Sequence, residues 1–203
     1  MFGHKAICDI DGTIADLMTA ACARAAKQYA ISFTVDDVPA IYAHTAFSAA
    51  VCAKLDAPTE YDEMRVHCDT ERWWDDAEMY AQLAPYEDMK KHLLGQQEYG
   101  TRTLFVTARP DTDAVYAATD AWLQAQGLKG YRLMLGVSNN ARVVLCQHYS
   151  PDFYYDDIPE NLIRVGNLCP FTTGVMTNRP WNKDAKLTTS RRFEVHGALF
   201  RFT

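Results

Sequence analysis

Two rhythms of apolar residues alternate along the 203-residue chain. Short apolar runs predict strands: Ala6-Ile7 leading into Cys8, Arg102 to Thr107, Tyr131 to Leu135, Asp152 to Tyr155, and Thr173 to Thr177 as the last parallel strand. Between them, apolar positions recur every three or four residues, the spacing of one helix face. Tyr86 to Gln97 carries Met89, Leu93 and Leu94 at that spacing and ends at Gly100. A helix capped by Asp111 or Thr112 carries Val115, Ala118, Trp122 and Leu123 as far as Gly127, a typical stop. Ala141 to His148 predicts a short helix. The tail from Arg192 to Phe202 alternates at Phe200-Arg201-Phe202, is interrupted by Gly197, and reads as a short strand or hairpin.

The stretch from Leu17 to about Ala84 breaks this alternation, because its pattern is mostly helical. Leu17 to Tyr29 is rich in Ala, a strong helix former. Asp36-Asp37 is expected to open the next helix, with Pro39 tolerated in its first turn. Pro58-Thr59-Glu60 starts another, running to about Cys68. This block cannot belong to the repeating unit of the sheet. The expected architecture is α/β: a three-layer, Rossmann-like core with a parallel sheet, formed by residues 1–16 and 85–203. Residues 17–84 form a small helical cap inserted after the first strand, over the active site.

The candidate chemistry lies where the strands end. Cys8-Asp9-Ile10-Asp11-Gly12-Thr13 reads as a buried strand that delivers two carboxylates and then turns. Residues two apart on an extended chain share a side, so Asp9 and Asp11 aim together off the strand's carboxyl end, where open α/β sheets bind ligands. A nucleophile, an acid/base and a divalent-cation site can all be built there. An Asp-Gly turn closing a strand is the plainer alternative. The second strand ends in Thr107, followed by Ala108-Arg109-Pro110, and the fourth ends in Asp156-Asp157. Thr107 alone is also a common strand terminus, and the acid pair alone is also a solvated helix N-terminus, where acids are favoured.

Composition narrows the class. Hydrophobic content of 48% and charged content of 23% describe an ordinary globular protein. No apolar run approaches a membrane span, and residues 1–8 are too short for a secretory leader. The six cysteines are scattered without a Cys-x-x-Cys pair, which reads as reduced thiols in a cytoplasmic protein. A net charge of −6 argues against a long nucleic-acid partner but not against a small anionic substrate.

Asp9-x-Asp11-Gly-Thr, the strand-end Thr107, a basic residue before the last motif strand and the Asp156-Asp157 pair lie in the order of the haloacid dehalogenase-like (HAD) phosphohydrolases, which the chain resembles over roughly residues 5–180. The resemblance implies a Mg²⁺-dependent phosphomonoesterase. Asp9 would be the nucleophile, giving an aspartyl-phosphate. Asp11 would protonate the leaving oxygen, then deprotonate water. The metal would be held by Asp9, by Asp11 through its backbone carbonyl, by Asp157 directly and by Asp156 from farther out. Mg²⁺ suits such an oxygen-only site. It also offsets the repulsion between a carboxylate and a phosphate dianion, roughly 4 kcal/mol per like-charge pair at about 4 Å and an effective dielectric near 20. Thr107 would donate to the phosphate, helped by the backbone N–H groups of Ala108 and Arg109. The family's further cation is usually Lys. No Lys lies between Lys129 and Asp156, so Arg142 is the candidate, with Arg132, Lys129 and Arg109 as rivals and a solvated helix-face role as the plain alternative.

Trp73-Trp74, Phe47 and Tyr42 in the insertion can stack a nucleobase or simply fill the cap's own core. The Thr-Ala-Arg-Pro turn, the Trp122-Leu123 helix and the Asn178-Arg179-Pro180-Trp181-Asn182 loop are similar to the 5′(3′)-deoxyribonucleotidase branch and its phage and bacterial relatives. That resemblance implies a (deoxy)nucleoside monophosphate substrate bound by Thr107, Ala108, Arg109, Phe47, Trp73 and Trp74. Arg179 and Trp181 also read as an ordinary surface turn. A polynucleotide 3′-phosphatase and a non-catalytic phosphate-binding module on the same core are the alternatives. The expected partner is a small phosphate ester, with no membrane or long nucleic acid; a homodimer is compatible with this reading.

Overall fold

The computed structural model describes residues 5–38, 44–56, 58–182 and 193–196. Strands β1 (Lys5–Asp9), β2 (Arg102–Val106), β3 (Arg132–Met134), β4 (Phe153–Asp156), β5 (Thr173–Thr177) and β6 (Phe193–His196) form one sheet in the order β3-β2-β1-β4-β5-β6. Every neighbouring pair is parallel. The fold class is therefore the expected α/β, Rossmann-like arrangement. Thr173–Thr177 is not the last parallel strand, because β6 pairs beyond it, Gly174 opposite Phe193. The Phe200–Phe202 alternation lies outside the described residues.

Strand side chains divide between two cores, as a period of two requires. Cys8, Phe105, Tyr155 and Val175 face one layer, where they meet Met89 and Leu93 of α5 (Glu87–Glu98) and Trp122 and Leu123 of α6 (Asp113–Ala125). Ile7, Val106, Tyr154 and Met176 face the other. There Val143 and Cys146 of α7 (Asn139–Tyr149) and Leu162 and Val165 of α8 (Pro159–Leu168) cover them. The helices begin where the sequence allows. Thr112 caps α6 and Ser138 caps α7 by accepting from backbone N–H groups, and Pro159 opens α8, where its missing N–H leaves nothing unmet.

The insertion contributes α1 (Leu17–Tyr29), a 3₁₀ turn (Val35–Asp37), α2 (His44–Cys52), α3 (Glu60–Trp74) and α4 (Ala77–Ala81). Asp36-Asp37 do not open an α-helix. Asp37 instead closes a capping box on Thr34, and Val38 returns to extended backbone. Pro39 and Tyr42 lie outside the described residues. The helix begun at Thr59 runs past Cys68 to Trp74, so both tryptophans sit in its last turn. The insertion leaves and returns through one paired neck: Asp16 donates its N–H to Ala84, and Tyr86 donates to Ile14. Its apolar residues Phe47, Val51, Val66 and Trp73 are continuous with the first core. Among the described residues no helix is long and apolar enough to cross a membrane. All six cysteines are free, and only Cys68 is exposed.

Leu123 is fully buried at the centre of the first core. Leu123→Ala is expected to lower the unfolding free energy by about 2–5 kcal/mol, measured by urea denaturation; a loss below about 1 kcal/mol would contradict the packing described.

Candidate active site

Parallel pairing brings the polar strand ends together. Asp9 stands opposite Val106, one residue before Thr107, and Cys8 stands opposite Tyr155, one residue before Asp156. Beyond Asp9 the chain turns tightly. Gly12 has φ +79°, a region that favours glycine, and its N–H reaches Ala15 O at 2.9 Å. Arg179 fixes this turn from outside, donating from Nε to Gly12 O and from Nη2 to Thr13 O, each at 2.7 Å, while its guanidinium stacks on Tyr86. Arg179 is buried, so it is not part of an ordinary surface turn.

Asp9, Asp156 and Asp157 each offer a carboxylate oxygen, and these three atoms lie within 4.8 Å of one another with all three residues buried. Burial first, and then the charges of Asp156, Asp157 and Asp11, push the Asp9 carboxyl well above the usual carboxylate range, against the pull of Arg142. Arg142 Nη2 is 2.9 Å from Asp9 Oδ1, close enough for an ion pair but without hydrogen-bond geometry, so this buried oxygen has no hydrogen-bond donor. An oxygen-only set of three converging carboxylates with an undonated oxygen fits a hard divalent cation.

The acid pair divides its work. Asp156 Oδ2 accepts from Arg142 Nη1 at 2.9 Å, from Asn161 Nδ2 at 3.0 Å and from the Tyr154 hydroxyl; Oδ1 accepts from Ile158 N–H at 2.8 Å. So many donors leave Asp156 best suited to hold Arg142 in place. Asp157 accepts only neutral donors among its described hydrogen bonds, from Thr13 Oγ1 at 3.1 Å and from Trp181 Nε1 at 2.8 Å. Asn182 ties the same segment down by donating to Asp157 O and Thr177 O.

The Asp11 side chain is not in the three-carboxylate cluster. It turns toward β2, where Thr107 Oγ1 donates to Oδ2 at 2.9 Å and Arg109 Nη2 donates to Oδ1 at 2.7 Å. Thr107 thus gives its proton to a carboxylate here, and its oxygen accepts from Arg109 N–H at 3.1 Å. Asp9, Asp11, Ala108, Arg109 and Arg142 all line one cavity of about 320 Å³, within the usual size range of small-molecule sites. The insertion supplies its opposite wall through Phe47, Trp74 and Tyr80, with the exposed acids Glu71 and Asp75. Trp73 is not among the lining residues. Its ring packs with Phe47 and Tyr29 under Arg24. The rivals Lys129 and Arg132 lie with Tyr131 at other surface depressions and do not line this cavity.

Sequence reasoning did not foresee the Arg109 clamp on Asp11, the Tyr154 and Asn161 contacts to Asp156, or the Trp181 contact to Asp157. Tyr154 alone had a local signal: it lies two residues before Asp156 on one strand and so shares its face.

No protein-family model matches the chain, and no curated protein matches it. Solved structures do. A haloacid dehalogenase-like family hydrolase from Streptococcus pneumoniae superposes with TM-score 0.54 at 11% identity, covering 96% of this chain and 94% of that one. The fold is that of the HAD-like hydrolases. A predicted phosphoglycolate phosphatase from Haemophilus somnus gives TM-score 0.56 at 14% identity, covering 94% and 93%. A dehalogenase gives 0.59 at 12%, covering 97% and 94%. In this chain the carboxylates gather at the carboxyl edge of the sheet.

A cation held at this cluster would stabilise the folded state. Mg²⁺ at ten times its Kd is expected to add about 1.4 kcal/mol, read as a rise in Tm. The rise should vanish in Asp157→Asn; an equal rise in that variant would count against the cluster.

Proposed function

We propose that this protein is a Mg²⁺-dependent phosphomonoesterase whose favoured substrate is a (deoxy)nucleoside monophosphate. The observation that carries the reading is Asp9, buried against two further carboxylates and opening into the same cavity as Asp11 and Arg142. Asp9, Asp157 and the backbone of Asp11 would hold the metal, with Asp156 behind them. When bound, the cation supplies the positive charge that lets an anionic nucleophile approach an anionic ester.

The chain's own residues then perform the following steps. An Asp9 oxygen forms a bond to phosphorus as the bond to the leaving oxygen breaks. Asp11 gives a proton to that oxygen. Arg142, held by Asp156, orients Asp9 and offsets charge in the place the family usually fills with Lys. Thr107 and the N–H groups of Ala108 and Arg109 hold phosphoryl oxygens, which requires the Thr107 hydroxyl to leave Asp11. Water next attacks phosphorus, Asp11 takes its proton, and the bond to Asp9 breaks to release phosphate. Residues 17–84 act as the cap that closes over these steps and excludes competing water.

The wall opposite the carboxylates supports the substrate choice. Trp74, in edge contact with Phe47, gives this wall an aromatic lining for a base. Among the described lining residues the only cations are Arg109 and Arg142, both paired with carboxylates. A leaving group with its own negative charge, such as the carboxylate of phosphoglycolate, would meet no free cation and would face Glu71 and Asp75.

Phosphate release from nucleoside monophosphates is expected with Mg²⁺ and should cease with chelator or in Asp9→Asn. The kcat/KM should exceed that for phosphoglycolate by at least about tenfold, a difference of about 1.4 kcal/mol that one like-charge contact can supply. A preference for phosphoglycolate would overturn the substrate assignment, and full activity of Asp9→Asn would overturn the nucleophile. Trp74→Ala should raise KM for nucleotides more than for p-nitrophenyl phosphate, whereas Trp73→Ala should act through Tm; the reverse pattern would exchange their roles.

A further inference from the structure

Holding phosphate needs only the backbone N–H of Arg109, yet its side chain is among the most completely engaged in the molecule. The side chain is 1% exposed. Nε donates to Asp11 Oδ2 at 3.0 Å and Nη2 donates to Asp11 Oδ1 at 2.7 Å, a two-pronged grip on the carboxylate. Nη1 donates to Thr119 Oγ1 of α6 at 2.9 Å. The guanidinium lies 4.2 Å from the centre of the Tyr80 ring, and the Tyr80 hydroxyl is itself tied to Trp74 O at 2.6 Å. All three guanidinium nitrogens are thus in use, two of them on Asp11. Asp11, by contrast, keeps 15% of its side chain open at the cavity.

We infer that Arg109 is the positioning residue of Asp11, fixing the direction in which this carboxylate meets the leaving-group oxygen. The inference rests on the proposed phosphomonoesterase reading. Two of the buried arginines divide the two acids of the first motif between them, Arg142 on Asp9 and Arg109 on Asp11. Thr119 and Tyr80 hold the guanidinium from behind, one from a core helix and one from the insertion. Lysine at position 109 keeps the charge but is a point donor, so it cannot fix the plane of a carboxylate as a fork does. The residue therefore acts where proton delivery limits the rate, on esters with poor leaving groups.

The test compares kcat/KM for an alkyl ester, a nucleoside monophosphate, with that for p-nitrophenyl phosphate, whose good leaving group needs little protonation. This parameter runs only as far as the first phosphoryl transfer, so the later hydrolysis of the aspartyl-phosphate does not enter. In Arg109→Lys the alkyl ester is expected to lose roughly 100-fold and the aryl ester less than about threefold. Thr119→Val, which removes one supporting hydrogen bond outside the cavity, should show a smaller loss with the same selectivity. It decides the matter if Arg109→Lys does not fold. Added to Asp11→Asn, Arg109→Lys should cost less than about a further twofold on the alkyl ester, because the two act as one unit. Equal losses on both esters, an unchanged ratio, or multiplying effects in the double variant would overturn the inference while leaving the phosphatase reading intact. A wild-type protein that hydrolyses neither ester would overturn both.

Discussion

Three carboxylates buried within 4.8 Å of one another set the terms for everything around them. In a medium of low polarizability such a group repels itself strongly, and each member is further penalised for leaving water. Arg142 brings one positive charge, shared between Asp9 and Asp156. Burial first, and then the acids that this one charge does not balance, hold the Asp9 carboxyl above the usual carboxylate range. An arrangement of this kind lowers folding stability, and on the proposed reading it keeps a site ready for a cation and an anionic ligand. The parallel sheet makes it affordable by delivering the acids from adjacent strand ends on rigid, doubly covered backbone.

Around this centre, each acid has a distinct set of neighbours. Asp156 is surrounded by donors and steadies Arg142. Asp157 is held by Thr13 from the first motif and by Trp181 from the loop after β5. Asp11 faces away from the cluster into the Arg109 fork. Arg179 braces the Gly12–Thr13 turn through its two carbonyls, so the loop after β5 controls the first and the last motif together. Residues separated by more than 160 positions thus act on one turn, and chemistry of this precision requires that supports be locked as firmly as the groups they support.

Much of this was legible from local patterning. The strands announced themselves because a doubly covered parallel strand must be apolar on both faces, and Asp9, Asp11, Thr107 and Asp156-Asp157 stood at their ends. The donors gathered on Asp156 are the reason the proposed function keeps it behind Asp157 at the metal. What patterning could not reveal was set by tertiary contact. Nothing local distinguishes an arginine that reaches a phosphate from one that reaches Asp11, or Trp73 from Trp74; adjacent residues on a helix simply face different neighbours. The Asp36-Asp37 segment misled because acids that favour a helix start also favour a single closed turn when Thr34 supplies the cap. The strand Phe193–His196 falls within the tail expected to form a short strand or hairpin; its parallel pairing with β5 was not legible, because partner contacts, not alternation, define it.

The paired neck has an evolutionary consequence. Because Ile14–Asp16 and Ala84–Tyr86 run side by side, the sheet's own chain is nearly continuous across the insertion. Different helical modules could be spliced between these two points without altering the register of any strand, while the acids upstream and downstream stayed where they were. The restraint on such exchange is the greasy seam shared by both parts: a replacement module would have to re-cover the same apolar ground that Phe47 and Trp73 extend outward from Cys8 and Phe105. Variation at this wall of the cavity is thereby confined to what a module of matching underside can display.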